Sequence, residues 1–299
     1  MGRDRQPSPE VVRYPEAAEM ADRLNDLDNT AWLRFLKSWE IVNPAPRSKQ
    51  KYGHPAPFPE ELATSYIEFF TREGQSVLDP FAGTGTTLVA ALRLNREAVG
   101  VELSGEFAEM ANDRLAYARK ALTMDEQIRI RTSGVKTSQT VVCGDAREVA
   151  KLADTGPYDY CFTSPPYWDM LHQEGAENQK RRRDAGVHVT YSNAHDDLGN
   201  IHDYQEFLGT LVSIFTDVAS VLRPGAYMTV VLQNIRKGSA VYPLAWEFAI
   251  ELARTGAVGL SNERLWLQDN KSLFPFAVGT SSFVTNQHHH YALNFRRPG

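Results

Sequence analysis

The sequence is short of cysteine, of unbroken apolar stretches and of net positive charge, and each shortage excludes a class of protein. Its 299 residues contain two cysteines, Cys143 and Cys161, too few for a disulfide framework. Both lie in apolar runs that read as strands, so both are expected as reduced core residues rather than as a bridge or a metal pair. No apolar run reaches the roughly 18–20 residues a membrane-crossing helix needs. The stretch Met1–Pro15 is polar and proline-bearing, without the apolar centre of a secretory leader, so a cytoplasmic protein with no membrane partner is expected. The net charge of −5 argues against indiscriminate coating of nucleic acid. It leaves selective binding open, because binding follows where basic residues cluster. Three clusters are visible: Arg47–Lys51, Arg129–Lys136 and Lys180–Arg183. The last is diluted by Glu174, Glu177, Asp184, Asp196 and Asp197.

What is present is an ordinary globular composition, 42% hydrophobic, enough for one large α/β domain. Residues 21–42 place Leu24, Leu27, Trp32, Phe35, Leu36 and Trp39 at helical spacing, predicting a helix that Pro44 and Pro46 end. Residues 1–50 are therefore expected as an arm and helix ahead of a catalytic domain over 51–299. A second helix follows Pro59. From residue 75 the pattern becomes strand, turn, helix, repeated: strands near 76–79, 98–102, 140–145, 158–163 and 227–233, with helices between. Two late strands are expected near 264–268 and 290–295. Such alternation predicts a doubly wound, mostly parallel sheet covered on both faces. Residues 169–200 are polar and aperiodic, and read as a long functional loop.

Between the first repeat strand and its helix lies Asp79-Pro-Phe81-Ala-Gly83-Thr-Gly85-Thr86-Thr87. Glycines there let backbone approach a ligand at the carboxyl edge of the sheet. A phosphate-binding P-loop needs a Lys after its glycines, and none is present; a dinucleotide fingerprint needs a third glycine where Leu88 stands. The ligand that remains carries ribose and adenine without phosphates, and S-adenosylmethionine fits. Glu102 closes the next strand, where a carboxylate can accept from both ribose hydroxyls. Asp145 closes the one after, positioned for the adenine amino group. Each acid could also merely cap the helix that follows, but three acids closing successive strands beside a glycine turn favour the ligand.

At the end of the fourth repeat strand stands Thr163-Ser164-Pro165-Pro166-Tyr167-Trp168. Paired prolines stop strand hydrogen bonding and stiffen the backbone. The Ser164 hydroxyl and the Pro165 carbonyl can then accept from one NH2 group. An aromatic amine is a weak nucleophile because its lone pair is delocalised into the ring. Two acceptors that draw its hydrogens out of plane return that pair to nitrogen, for attack on a sulfonium methyl. Tyr167 is expected to offer a stacking face for a planar base, with Trp168 as a second wall. Neither cysteine follows a proline, so covalent chemistry at cytosine C5 is not expected.

Together, DPFAGTGTT and TSPPYW resemble the amino-methyltransferases of DNA, the N4-cytosine and N6-adenine family. The resemblance implies a Rossmann-like S-adenosylmethionine-dependent fold with an antiparallel carboxyl-terminal strand. It also implies that Asp79, Phe81, Gly83, Gly85, Thr86 and Thr87 hold the cofactor with Glu102 and Asp145. Lys51–Glu60 resembles the family segment that packs over the methionine end, bringing in His54 and Phe58. The Ser-Pro-Pro-Tyr motif is implied to hold a base flipped from double-stranded DNA, and Ser at its first position points to cytosine N4. Adenine N6, an RNA or tRNA base amine, and a non-catalytic S-adenosylmethionine-binding protein remain alternatives. The likeness covers about residues 50–299. It departs from many members in order, since here the glycine motif comes first. The target-reading segment is therefore expected in 169–200, where Lys180, Arg181, Arg182 and Arg183 would meet DNA, or in the first 50 residues. Gln233-Asn234 and Arg236-Lys237-Gly238 lie at the same edge and read equally as base contacts or as a strand-end turn. His288, His289 and His290 invite a metal, but neighbours on a strand point to opposite faces, and none is expected. A monomer or a homodimer fits.

Overall fold

The computed structural model of the chain describes residues 23–44, 58–168, 198–238, 240–273 and 283–299. Its main sheet contains β1 (Trp39–Ile41), β2 (Ser76–Asp79), β3 (Glu97–Glu102), β4 (Gln139–Cys143), β5 (Tyr158–Thr163) and β6 (Leu222–Leu232). A hairpin of β7 (Ile235–Lys237) and β8 (Ala240–Tyr242) stands apart, and β9 (Gly259–Leu267) and β10 (His289–Arg296) complete the sheet. The spatial order is β1-β9-β10-β6-β5-β2-β3-β4. Strands β2 to β6 run parallel, and β10 inserts antiparallel between β6 and β9. This is the expected doubly wound α/β sheet with an antiparallel last strand. The chain winds outward from β2 through β3 to β4, then returns to β5 and winds the other way. The crevice between β2 and β5 is thus the switch point where such sheets bind ligands.

Alternation along each strand feeds two cores. Val77, Tyr160, Phe162, Val231 and Ala292 face one side, with α2 (Glu60–Phe70), α3 (Thr86–Arg93) and Leu115 and Ala118 of α4 (Gly105–Lys120). Leu78, Cys161, Val230, Leu232 and Leu293 face the other, with α6 (Val149–Leu152), α7 (Tyr204–Val221) and α8 (Leu244–Arg254). Burial on both faces explains why these strands read as continuous apolar runs.

The amino-terminal segment differs from the expected helix over 21–42. Among its described residues only Asn29–Phe35 is helical (α1), capped by Asp28, and Trp39–Ile41 is a strand paired in parallel with Leu265–Leu267. Long-range packing overrides the helical periodicity. Phe35 stacks on Phe69 at 3.9 Å. The Arg264 guanidinium lies 3.8 Å from the Phe35 ring centre and pairs with Glu40 at 3.0 Å. The described part of this segment is therefore an edge of the main sheet. A helix α5 (Met124–Ser133), not anticipated, is set by a Thr123–Glu126 capping box and ends at Gly134 with φ +70°. Both cysteines are free; Cys161 is buried as expected, whereas Cys143, at the end of β4, is exposed. Among the described residues no helix is long and apolar enough to cross a membrane.

Candidate active site

The glycine turn joins β2 to α3. Gly83 (φ +52°) and Gly85 (φ +78°) take left-handed backbone, which side chains disfavour. At Gly85 a Cβ would also lie 2.9 Å from the Ala111 Cβ. In β3, a Cβ at Gly100 would meet Ala82 at 2.7 Å and Leu88 at 2.8 Å, so Gly100 lets the turn sit down on the sheet. Thr86 and Thr87 are buried in the first turn of α3.

Asp79 is fully buried and faces inward. Its carboxylate accepts from the Phe81 N–H at 3.0 Å, the Thr87 hydroxyl at 2.5 Å and the Thr163 hydroxyl at 2.6 Å. The carboxyl ties the glycine turn to the end of β5, which brings the two sequence motifs together. Burial raises its pKa to about 6, against the lowering by those three hydrogen bonds.

Glu102 accepts from the Gly83 N–H and from the Ser104 N–H, each at 2.8 Å. Asp145 caps the short 3-10 turn Ala146–Glu148 through the Arg147 N–H and pairs with the Arg147 guanidinium at 3.3 Å. The capping role weighed from the sequence is thus present at Asp145. Phe81 packs 6.0 Å from Phe215, and Phe58 meets Phe162 edge-on at 5.4 Å.

Beyond β5, the Ser164 hydroxyl donates to the Val231 carbonyl at 3.2 Å and lies 3.3 Å from the Tyr167 hydroxyl. That phenol is 3.1 Å from the His290 Nδ1 and 3.5 Å from the Val231 carbonyl. Burial pushes its pKa up to about 12. Pro165 is buried and Pro166 half-buried. Tyr167 and Trp168 are both buried. Trp168 packs 4.7 Å from Tyr242 and 5.0 Å from Tyr204, its indole N–H on the His202 carbonyl, with the Lys237 ammonium 4.0 Å from its ring centre. His54, Lys180, Arg181, Arg182 and Arg183, with most of the 169–200 segment, lie outside the described residues.

The glycine turn and the Ser-Pro-Pro-Tyr motif thus meet across the β2–β5 switch point, joined through Asp79. Residues 9–113 match the DNA methylase family. The orphan methyltransferase M.BamHII of Bacillus amyloliquefaciens is 44% identical over 80 residues, 26% of this chain and 30% of that protein. The type II methyltransferase M.MjaI of Methanocaldococcus jannaschii is 33% identical over 100 residues, 33% of each chain. Among solved structures, TrmN from Thermus thermophilus aligns over 81% of this chain and 50% of its own, at 13% identity and a TM-score of 0.44.

Over that part of its length, this chain is similar to the DNA amino-methyltransferase family.

The chain spans about a third of the length of these curated relatives. The family match begins at residue 9, so it takes in the amino-terminal segment that the motifs alone left outside. It ends before Thr163–Trp168. Methyltransferases of this family draw their methyl group from S-adenosylmethionine, and the turn suits that group. The carboxylate of Glu102 is an acceptor suited to hydroxyls. The Arg114 guanidinium is bonded to the Thr84 carbonyl at 2.7 Å and to the Thr84 and Thr86 hydroxyls at 2.9 and 3.2 Å. The donor set therefore favours a diol over a phosphate.

Several residues that the fold brings to this candidate site carry no signal of it in the sequence. Arg114 clamps the turn from α4 with no local signal. Thr163 reads only as the first letter of a motif. His290 reads from the sequence as the start of a late strand and as a metal ligand to be discounted. Gly100 was hidden in a strand, although a glycine within an apolar strand does mark a close approach. Farther along the edge, Asn234 accepts from the Ala245 N–H at 3.1 Å and Gln233 donates to the His289 carbonyl at 2.9 Å. Both side chains are engaged within the protein.

Proposed function

We propose that this chain transfers a methyl group from S-adenosylmethionine to the exocyclic amino group of a base flipped out of double-stranded DNA, with N4 of cytosine as the target. The observation that carries this reading is the Ser164 hydroxyl. Its proton is directed to the Val231 carbonyl, leaving its lone pairs to accept, and it sits beside a double proline at the switch point of the sheet.

Ser164 Oγ and the Pro165 carbonyl accept one hydrogen each from the target NH2, and the nitrogen recovers its lone pair. The cofactor, when bound, supplies an electrophilic methyl on a sulfonium sulfur. As the N–C bond forms, the S–C bond breaks and its electron pair stays on sulfur. The extra amine proton then leaves to solvent. Glu102 accepts from the ribose hydroxyls with the lone pairs that its two backbone N–H bonds leave. Asp145 takes the adenine amino group, the turn from Asp79 to Thr87 shapes the pocket floor, and His54 and Phe58 cover the methionine end. Lys180–Arg183 meet the phosphate backbone, which offsets the few kcal/mol of base flipping and makes activity fall with salt. Residues 169–200 read the target. The family correlation of Ser with cytosine supports N4 over adenine N6.

The test is nucleoside mass spectrometry on unmethylated plasmid DNA and on total RNA after incubation with the protein and S-adenosylmethionine. N4-methylcytosine in DNA is the expected product. N6-methyladenine would keep the chemistry and replace the base, and methylated RNA beside silent DNA would overturn the substrate. Silence in both, with cofactor bound, would overturn the activity. Ser164→Ala should reduce turnover by about a hundredfold or more and leave cofactor binding intact.

A further inference from the structure

We propose that His290 is a positioning residue that sets the direction of the hydrogen bonds in the Ser-Pro-Pro-Tyr motif, so that Ser164 Oγ meets the substrate amine as an acceptor. The inference rests on the function proposed above and assigns a role to a histidine that function does not use.

The argument is a count of protons. The Tyr167 hydroxyl has one proton and three partners within reach: His290 Nδ1 at 3.1 Å, Ser164 Oγ at 3.3 Å and the Val231 carbonyl at 3.5 Å. Ser164 also has one proton, with the Val231 carbonyl at 3.2 Å. A target NH2 brings only donors to Ser164. The site works when Ser164 sends its own proton to Val231 and keeps its lone pairs outward. That requires Tyr167 to send its proton elsewhere, and the nearest acceptor is His290 Nδ1. The imidazole must then be neutral, with its proton on Nε2. The opposite tautomer would make Nδ1 a donor. Tyr167 would then turn its proton onto Ser164 or onto Val231, either filling a Ser164 lone pair or pushing the Ser164 proton toward the incoming amine.

The surroundings fix the His290 ring in place and keep it neutral. Its ring stacks on Trp266 at 4.4 Å with 23° between planes. Trp266 is itself anchored through its indole N–H to the Val42 carbonyl at 2.7 Å. Cross-strand pairing of His290 with Trp266 fixes the register. Burial, followed by the nearby charges of Lys271 and His289, pushes the imidazole down to about 3, so the ring stays neutral at every working pH. In a neutral ring with its proton on Nε2, Nδ1 is the acceptor and the Tyr167 hydroxyl is the matching donor.

Two measurements on the full chain test the role. Nitrogen-15 NMR of the histidine side chains should find His290 as the neutral Nε2–H tautomer. An Nδ1–H tautomer or an imidazolium at neutral pH would overturn the proposal. Single-turnover methylation at saturating cofactor should fall about tenfold in His290→Phe, the scale of one hydrogen bond, with cofactor Kd and Tm little changed. His290→Gln, whose amide oxygen can accept from Tyr167, should recover most of that loss. In a Tyr167→Phe background, His290→Phe should cost nothing further. A loss that persists there undiminished, or that appears equally in cofactor binding and Tm, would make His290 merely structural and overturn the role. If wild-type protein methylates no base amine, the proposed function fails. A wrong tautomer in an active enzyme removes only the role of His290.

Discussion

At the carboxyl edge of β2 and β3, the glycine turn is held by near neighbours in sequence. Thr87 reaches Asp79 across 8 positions, Gly83 reaches Glu102 across 19, and Arg114 reaches Thr84 across 30. At the edge of β5 and β6, the Ser-Pro-Pro-Tyr motif relies on distant ones: Ser164 on Val231 across 67 positions and Tyr167 on His290 across 123. The first region is a backbone device, shaped by left-handed glycines and close approach. The second is a side-chain device, shaped by the direction of hydrogen bonds. The Asp79–Thr163 hydrogen bond of 2.6 Å couples them. Each half should therefore fail in its own way when altered.

The largest expected effect is on the backbone device. Gly85→Ala adds a Cβ at φ +78° and 2.9 Å from the Ala111 Cβ, combining left-handed strain with overpacking, up to about 5 kcal/mol. Urea unfolding measures it, and an unchanged midpoint would break the contrast between the halves. Next comes the buried acid that joins them. An Asp carboxyl ionises near 3.8 in the open chain and near 6 in the folded protein. Its contribution is therefore most favourable below 3.8 and is lost as pH rises to 6. The stability of wild type relative to Asp79→Asn should fall by about 3 kcal/mol over that window.

His290 should show the opposite sign. Its folded pKa lies near 3 against 6.5 when open, so its contribution is full above 6.5 and declines as pH falls toward 3. Wild type should lose about 2 kcal/mol relative to His290→Phe between pH 6.5 and 5, read by denaturant titration at each pH. Two slopes of the same sign would refute the electrostatic difference between the regions. The smallest effect belongs to Arg114→Met, which removes the clamp on Thr84 and Thr86. A stability loss of about 1 kcal/mol and weaker cofactor binding are expected by calorimetry, with the His290 tautomer unchanged. A tautomer change there would mean the halves are more tightly coupled than Asp79 alone allows.

Local residues alone determined the strand–turn–helix repeat, the glycine turn at Gly83 and Gly85 and the double proline Pro165-Pro166. Each follows from backbone preferences or from alternation that a short window contains. Tertiary structure alone decided that Trp39–Ile41 is a strand and not the end of a helix. It turned Asp79 inward to Thr163, placed Arg114 under the glycine turn, and buried Tyr167 and Trp168. It also brought His290 to the Tyr167 hydroxyl. The physical reason is common to all of these. A hydrogen bond or a ring contact between residues tens to more than a hundred positions apart leaves no periodicity in the chain, and exists only once the sheet has set its order.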